Sequence, residues 1–222
     1  MLNNDIVKYL KDRSSDNVEI EIQDEQLNYI GKLSLIKKAD LDNDFLVESL
    51  TNWRSKYMRF FLTQFNANPD RTRSWLRNTV IPSGDRLLFL IFDENERLIG
   101  NSGVANIANQ KCELDNLIRG EKGGHPKLIY FAELALLRWL FSKYAMVFVN
   151  LHVFSNNTPT IKLHTSVGFI EVCRKMLFKF IRDNKETYYS FENKDNTGEI
   201  AHFEYIEMGI DADSFNSMHN VS

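Results

Sequence analysis

The chain has 222 residues, 43% hydrophobic and 26% charged, which is enough for one large domain with a well-formed core. Its formal net charge of −3 and its pI of about 6.0 argue against a basic surface for nucleic acid or an anionic membrane. The 2 cysteines, Cys112 and Cys173, lie in strand-like runs, which favours buried free thiols over a disulfide. The 2 cysteines and the 5 histidines do not form a metal-ligand motif in the sequence.

No segment of the sequence has the pattern of a secretion or membrane signal. The start, Met1 to Lys11, lacks a basic region followed by an apolar core, which argues against a signal peptide. The longest apolar run, Leu134 to Val149, is interrupted by Arg138 and Lys143 and therefore predicts no membrane span. We expect a cytoplasmic protein with neither a nucleic-acid nor a membrane partner.

The first half of the chain is predicted to contain a strand, two helices and a hairpin. Polar and acidic residues 1–31 are interpreted as an N-terminal extension to a domain over 32–210, with a frayed tail over 211–222. Apolar runs, capping residues and turn residues predict a strand at 33–36, helices at 42–50 and 69–80, and hairpin strands at 86–92 and 97–107.

The second half alternates strands with helices. Apolar runs and helical spacing predict strands at 112–118, 146–154, 171–183 and 202–210, and helices at 127–144 and 158–166, the second ended by Gly168. The last two strands are joined by a polar loop with Tyr188, Tyr189 and Phe191. Together these elements indicate the α/β (α+β) class, with a mixed, mostly antiparallel central sheet flanked by helices.

The loop Arg119-Gly120-Glu121-Lys122-Gly123-Gly124-His125-Pro126 connects the strand at 112–118 to the helix at 127–144. Its glycines allow a tight turn and the close approach of a ligand, and Pro126 suits the first turn of a helix. Free N–H groups at the helix start, with Arg119 and Lys122 beside them, would suit a phosphate or pyrophosphate. An ordinary glycine-rich turn is the alternative interpretation.

A second segment, from Asn156 to Phe169, contains asparagines, a short helix and a Gly-Phe pair. It resembles a signature of the GNAT superfamily of acyl-CoA-dependent N-acyltransferases. Trp53-Arg54 is similar to a pair common in relatives of ribosomal-protein N-terminal acetyltransferases. The resemblance covers roughly 32–182 and is carried by the order of hairpin, glycine loop, helix, apolar strand and Asn-to-Gly-Phe helix.

The resemblance implies a splayed, GNAT-like sheet that admits the pantetheine arm of acyl-CoA between the strands at 112–118 and 146–154. Acetyl-CoA or a longer acyl-CoA is then the cosubstrate, and no metal is expected. The implied contacts are backbone hydrogen bonds of pantetheine to Leu117, Ile118 and Arg119, a pyrophosphate site at Gly120, Lys122, Gly123, Gly124 and His125, and a contact of the cofactor arm with Asn157.

Two positions depart from the family's pattern. The family's loop is usually Q/R-x-x-G-x-G/A, whereas the fourth position from Arg119 is Lys122 and the loop is longer before its helix. Lys122 is interpreted either as a phosphate contact or as a solvated lysine. The position four before Gly168 is commonly a tyrosine that protonates the leaving thiolate, and this chain has His164 there.

Amide formation from a thioester needs a base for the amine, a donor for the oxyanion and an acid for the thiolate. Strand alternation places Glu113 and Asp115 on one face, which makes them the candidate bases; the alternative is that they face solvent or pair with a cation. Histidine titrates near neutral pH, so His164 suits an acid or a base, unless it is a packed or surface residue. His152 is a candidate lining residue of the acceptor pocket, and a Cys112 nucleophile is not required.

The expected acceptor is a dTDP- or UDP-linked amino sugar. The aromatic loop at 188–191, with Arg182 or Lys185 suited to a diphosphate, and the variant glycine loop resemble sugar N-acyltransferases of this superfamily. The predicted reaction is transfer of an acetyl or larger group, such as 3-hydroxybutyryl, for surface polysaccharide (O-antigen) synthesis. The alternatives are a protein N-terminal or lysine acetyltransferase and a non-catalytic acyl-CoA-binding module. A homodimer through the C-terminal strands is a further expectation.

Overall fold

The computed structural model describes Val7 and residues 18–182, 186–193 and 196–219. The strands in this part of the chain are β1 (Glu19–Gln23), β2 (Tyr29–Leu35), β3 (Thr63–Gln64), β4 (Leu87–Asp93), β5 (Leu98–Ala108), β6 (Lys111–Arg119), β7 (Phe148–Phe154), β8 (Ile170–Ile181), β9 (Thr187–Ser190) and β10 (Glu199–Asp211). The helices are α1 (Asp44–Lys56), α2 (Pro69–Trp75, extended by a wide turn over Leu76–Val80), α3 (Leu128–Tyr144), α4 (Thr158–Val167) and α5 (Ala212–His219).

All ten of these strands belong to one open sheet, in the order β1-β2-β4-β5-β6-β7-β10-β8-β9-β3. Within the described ranges every strand pairing is antiparallel except that of β6 with β7. The predicted class is therefore confirmed. The parallel pair is formed because α3 crosses over between its two strands, as a parallel connection requires.

The sheet opens between β6 and β7. The two strands pair from Lys111↔Phe148 only as far as Leu114↔Leu151. Beyond that point β6 continues along β5 to Arg119, and β7 continues along β10 to Phe154. Because each strand keeps its outer neighbour and loses its inner one, their inner edges present unpaired backbone groups to the gap.

A bulge in β6 lies next to the opening. Asn116 has φ +51°, and the register of β6 with β5 shifts at this position. The side chain of Asn101 on β5 donates from Nδ2 to the carbonyl oxygen of Asn116 and holds the bulge in place. A bulge bends its strand and increases the local twist, so it contributes to the divergence of β6 from β7.

Helix α3 is apolar around most of its circumference because it is buried against the sheet. Its largest fully buried side chains, Leu128 and Leu136, pack with strand residues such as Phe89 and Ile91. Each such side chain contributes roughly 1.5–3 kcal/mol on burial. A second cluster joins Trp53 of α1 to Leu76 and to the other face of β4. Helix α3 ends at Ala145, whose left-handed backbone closes the last turn.

Three elements differ from the sequence-based expectations. β1 lies inside the segment interpreted as an N-terminal extension, because Ile20 and Ile22 alternate into the core while the glutamates between them face outward. β9 replaces part of the expected polar loop at 188–191. Helix α5 replaces the expected frayed tail, and its Phe215 is fully buried. The division of the chain at residues 31 and 210 stays a prediction. No helix in the described ranges is long and apolar enough to cross a membrane.

Candidate active site

A cavity of about 1070 Å³ begins at the opening between β6 and β7. It runs from the start of α3 toward the aromatic side chains that follow α1. Among the sequence-predicted site residues, its lining includes Glu113, Asp115, Leu117, Ile118, Arg119, Asn157 and His164. His152 also lines it, as predicted. The predicted loop residues Gly120, Lys122, Gly123, Gly124 and His125 lie outside the lining.

Glu113 is held between a histidine and an amide. Its Oε1 is 2.8 Å from Nδ1 of His152, and its Oε2 accepts a hydrogen bond of 2.7 Å from Asn106. Burial alone would raise the pKa of Glu113, but the hydrogen bonds from His152 and Asn106 and the charges of His152 and Arg86 lower it below its ordinary value. Glu113 is therefore a carboxylate at neutral pH and able to accept a proton.

His152 extends this contact across β7 to β10. Its ring stacks on Tyr205 with the centroids 4.9 Å apart, and its Nε2 lies 3.9 Å from Oε2 of Glu207. The tautomer of His152 decides which nitrogen donates. His152 therefore lies between two carboxylates, hydrogen-bonded to Glu113 and in longer electrostatic contact with Glu207.

Asp115 is more heavily engaged than Glu113. Its Oδ2 pairs with Arg86 at 2.5 Å and accepts from the side chain of Asn116 at 2.7 Å, while its Oδ1 accepts from the backbone N–H of Asn116 at 2.7 Å. Both carboxylates line the cavity, in agreement with strand alternation. Asp115 has fewer lone pairs left for a proton, so its contacts suit positioning of the bulge more than proton transfer.

His164, on α4, also lines the cavity. Its side chain is only 5% exposed, and its Nδ1 is 2.7 Å from Oε1 of Glu133 on α3. Phe169 packs edge-on against the ring. Helix α4 ends at Gly168, whose φ of +115° favours glycine, and the N–H groups of Gly168 and Phe169 both return to the His164 carbonyl. This closure fixes the last turn and with it the position of His164.

The glycine loop packs closely against the β4–β5 hairpin. Gly124 has φ +63°, and a Cβ there would stand 2.8 Å from the side chain of Asp93. The guanidinium of Arg119 donates to the carbonyl oxygens of Gly123 at 2.7 Å and Pro126 at 3.4 Å, so it shapes the loop from within. In this part of the described chain the backbone N–H groups of residues 122–125 donate to no protein acceptor. These donors fit a diphosphate.

The far end of the cavity contains a partly buried cation. The guanidinium carbon of Arg54 lies 3.4 Å from the centroid of Phe61, and the group donates to the carbonyl of Thr63 at 3.1 Å. Burial lowers the pKa of Arg54 to about 10, and the charge of Asp115 offsets this only in part. No carboxylate in the described ranges forms an ion pair with it. Arg59, Arg71 and Arg86 also line the cavity.

Cys112 is unsuited to nucleophilic catalysis. Both cysteines are free, as predicted, and Cys112 is buried whereas Cys173 is half-buried. Burial raises the pKa of the Cys112 thiol to about 12. The thiolate is therefore scarce at neutral pH, which argues against Cys112 as a nucleophile.

The expected aromatic stacking surface at 188–191 lies outside the cavity. Tyr188 stacks on Phe180 and Tyr189 packs against Phe154, so both rings are engaged within the sheet. Arg182 faces Glu186 at 3.9 Å, and Lys185 lies outside the described residues. Among the aromatic residues that line the cavity, Tyr57, Phe60, Phe61 and Phe65 come from the segment after α1.

Sequence reasoning did not identify three contributors to the site. Arg86 stands just before β4, Tyr205 is on β10, and Glu133 is on α3. Each reaches the site from an element distant in sequence. The sequence offered one signal, a charged residue within an otherwise apolar part of a helix, and it pointed to Glu133.

An opened sheet, free N–H groups before a helix and a carboxylate facing the gap are the features expected of an acyl-CoA-dependent N-acyltransferase. Residues 32–170 match the model of the acetyltransferase (GNAT) domain, and the chain belongs to this family. GNAT acetyltransferases use acetyl-CoA. No curated protein is similar enough to the chain to count as a match.

Solved structures show the same fold at low identity. A probable GNAT acetyltransferase from Chromobacterium violaceum superposes with a TM-score of 0.65 at 12% identity, covering 89% of this chain and 88% of that one. A spermidine N-acetyltransferase from Vibrio cholerae, in complex with CoA and spermine, gives 0.60 at 18% identity, covering 82% and 96%. A GCN5-related N-acetyltransferase from Brucella melitensis gives 0.63 at 12% identity, covering 90% and 82%.

Proposed function

We propose that the protein transfers an acyl group from acyl-CoA to the amino group of a nucleotide-linked amino sugar, in the synthesis of surface polysaccharide. The observation that carries this proposal is Arg54, a partly buried guanidinium at the acceptor end of the cavity with no carboxylate partner in the described ranges. The burial of this cation is offset only in part by the charge of Asp115, which is unfavourable unless a ligand supplies a closer counter-ion. The phosphates of a nucleotide sugar would supply that charge, bidentately.

The cofactor-binding residues remain those implied by the family. The unpaired inner edge of β6, at Leu117, Ile118 and Arg119, suits the amides of a pantetheine arm. Asn157 lines the cavity, and its side chain makes no capping hydrogen bond to α4. The N–H groups from Lys122 to His125, with the backbone of Gly120, Gly123 and Gly124 turning the loop, would hold the pyrophosphate.

In the proposed mechanism Glu113 accepts the proton of the attacking amine, directly or through a water, and His152 receives part of that charge. A backbone N–H on the inner edge of β6 stabilises the oxyanion. The bond between carbon and sulfur then breaks, and His164 donates a proton to the departing sulfur. The products are the amide and the free thiol of CoA.

A polyamine acceptor is the second candidate, because one similar structure is a spermidine N-acetyltransferase with spermine bound. Spermidine and spermine are cations. The acceptor end of this cavity instead contains Arg54, Arg59 and Arg71, and of these only Arg71 has an acidic partner, Glu186, within the described ranges. Repulsion among these charges disfavours a polyamine and favours an anion.

A free-thiol release assay tests the proposal. Acetyl-CoA and 3-hydroxybutyryl-CoA are each offered with dTDP- and UDP-amino sugars, with spermidine and with basic peptides. The expected result is a kcat/KM highest for a nucleotide amino sugar. Preference for spermidine or for a peptide would overturn the acceptor assignment. Binding of acyl-CoA without turnover of any amine would indicate a non-catalytic module instead.

A further inference from the structure

Two ionisable side chains form a buried pair between α3 and α4. Glu133 is 1% exposed, and His164 is 4% exposed. Their contact, Oε1 to Nδ1, is 2.7 Å long. The surrounding face of α3 is apolar, with Leu134, Leu136 and Leu137 buried beside Glu133. The pair is therefore a polar site built into the hydrophobic core.

The pair is poorly suited to a purely structural role. The second oxygen of Glu133, Oε2, is buried and has no hydrogen-bond partner in the described ranges. A buried acceptor left unsatisfied is destabilising, and apolar residues of similar volume usually replace buried ion pairs without loss of stability. Packing therefore does not explain why a charged pair with an unsatisfied acceptor lies in the core.

The geometry leaves one ring nitrogen for the reaction. Nδ1 of His164 is engaged by Glu133, while the side chain lines the cavity. With a carboxylate as acceptor, Nδ1 carries a proton and donates it, so that Nε2 is the nitrogen available to the cavity. Holding the ring plane and stabilising the imidazolium, the form with a proton to give from Nε2, is what a carboxylate behind a catalytic histidine does.

We propose that Glu133 is a positioning residue that acts through His164, orienting its Nε2 toward the sulfur of the acyl donor. In the transfer step the amine forms the new C–N bond and gives its proton to Glu113, while the C–S bond breaks and its electron pair goes to sulfur. The proton on Nε2 moves to that sulfur, and the imidazole left behind regains a proton from water. The Glu133 carboxylate balances the charge of the imidazolium before transfer.

The proposal rests on acyl transfer from acyl-CoA and on the assignment of His164 as the acid, not on the nucleotide sugar. Any amine that the protein acylates therefore serves for the test. A substitution at Glu133 leaves the other ionisable residues of the cavity lining in place. They are Glu113 and Asp115 on β6, His152 on β7, Tyr205 on β10, Tyr57 after α1, Lys127 and Tyr130 at the start of α3, and the arginines Arg54, Arg59, Arg71, Arg86 and Arg119.

The test compares Glu133→Gln, Glu133→Asp, His164→Gln and the double variant Glu133→Gln/His164→Gln. Glu133→Gln is nearly isosteric but neutral, and we expect kcat to fall about tenfold or more with KM for acyl-CoA unchanged. Glu133→Asp keeps the charge and should retain more of kcat than Glu133→Gln does. In the double variant, Glu133→Gln should cause no loss beyond that of His164→Gln. Glu171→Gln, at an exposed carboxylate outside the cavity, is the matched control.

Three results would overturn the proposal: an unchanged kcat in Glu133→Gln, additive losses in the double variant, or a Glu133→Gln enzyme more active than Glu133→Asp, which would indicate packing alone. Where a variant fails to fold, by circular dichroism, the native protein labelled with ¹⁵N-histidine provides the answer. A proton on both Nδ1 and Nε2 of His164 at neutral pH supports the proposal, and a bare nitrogen at either position contradicts it. This measurement does not depend on turnover of any acceptor.

Discussion

The indole ring of Trp53 occupies the space in which any side chain at residue 120 would begin. A Cβ built on Gly120 would lie 1.9 Å from Cε2 of the ring, and Nε1 of the same indole donates to Glu121 at 2.8 Å. The glycine at this point is therefore required by the contact with α1. Trp53 thereby joins the helix next to the acceptor end of the cavity to the loop assigned to the cofactor.

Gly120→Ala should destabilise the protein by about 1–3 kcal/mol, because the buried indole must move to admit a methyl group. The expected readout is a fall of several degrees in Tm, together with weaker binding of acyl-CoA. Gly84→Ala is the matched control, since a Cβ at Gly84 meets no atom within 4 Å. Equal Tm values for the two variants would contradict this account of the loop.

The turn that supports the loop should make stability depend on pH. Asp93 is fully buried and accepts hydrogen bonds from the side chain of Arg97 at 2.7 Å and from the N–H of Asn95 at 3.0 Å. Burial alone would raise the pKa of Asp93, but the hydrogen bonds and charge of Arg97 and the N–H of Asn95 lower it overall. The folded state therefore binds this proton more weakly than the unfolded chain does.

It follows that the contribution of Asp93 is complete above about pH 4, the ordinary value for Asp, and is lost as the pH falls below it. Asp93→Asn should lower the free energy of unfolding at pH 7 by about 1–3 kcal/mol and reduce its slope between pH 4 and the acid limit. Urea unfolding at several pH values measures both. An identical acid slope in the variant would show that another carboxylate controls it.

The lowered pKa of Glu113 likewise leads to an expectation for the dependence of kcat on this residue. Because its pKa lies below its ordinary value, the carboxylate stays ionised through the neutral range, and Glu113 itself adds no acidic limb to kcat there. Glu113→Gln should lower kcat by about 10²-fold with little change in KM for acyl-CoA. Asp115→Asn is the comparison, and we expect the smaller loss in kcat from it because Arg86 and Asn116 already occupy its oxygens. The reverse order would identify Asp115 as the base.

The periodicity of apolar residues along the chain was sufficient to predict the elements at the centre of the fold. The hairpin β4–β5, strand β6, helix α3 and strand β7 were all predicted within a few residues, since each has a long apolar pattern of its own. β9 escaped prediction because it is stabilised by pairing with β8 and β3 rather than by its own composition. Trp53 and Gly120 are in contact although they are 67 positions apart in the sequence, and no local pattern predicts such a contact.

Side-chain pairing within the site was also beyond sequence reasoning. Alternation placed Glu113 and Asp115 on one face, but their unequal engagement depends on Arg86 and His152, which come from other strands. Likewise, the pairing of His164 with Glu133 depends on the rotation of α4 against α3. A pattern gives the face of an element, and the register between elements decides which groups meet.

Arg54 offers a test in which function and stability should change in opposite directions. Burial disfavours the charged form of Arg54 and lowers its pKa to about 10. Arg54→Met should therefore be at least as stable as the native protein in thermal unfolding. The same change removes the guanidinium proposed to meet the acceptor's phosphates, and KM for a nucleotide amino sugar should rise about tenfold or more. KM for acyl-CoA should not change. Arg77→Met, at an exposed arginine outside the cavity lining, should leave both KM values as they are. A loss of stability in Arg54→Met without a rise in the acceptor's KM would assign Arg54 to packing against Phe61 and Thr63, and the anionic acceptor would lose its main support.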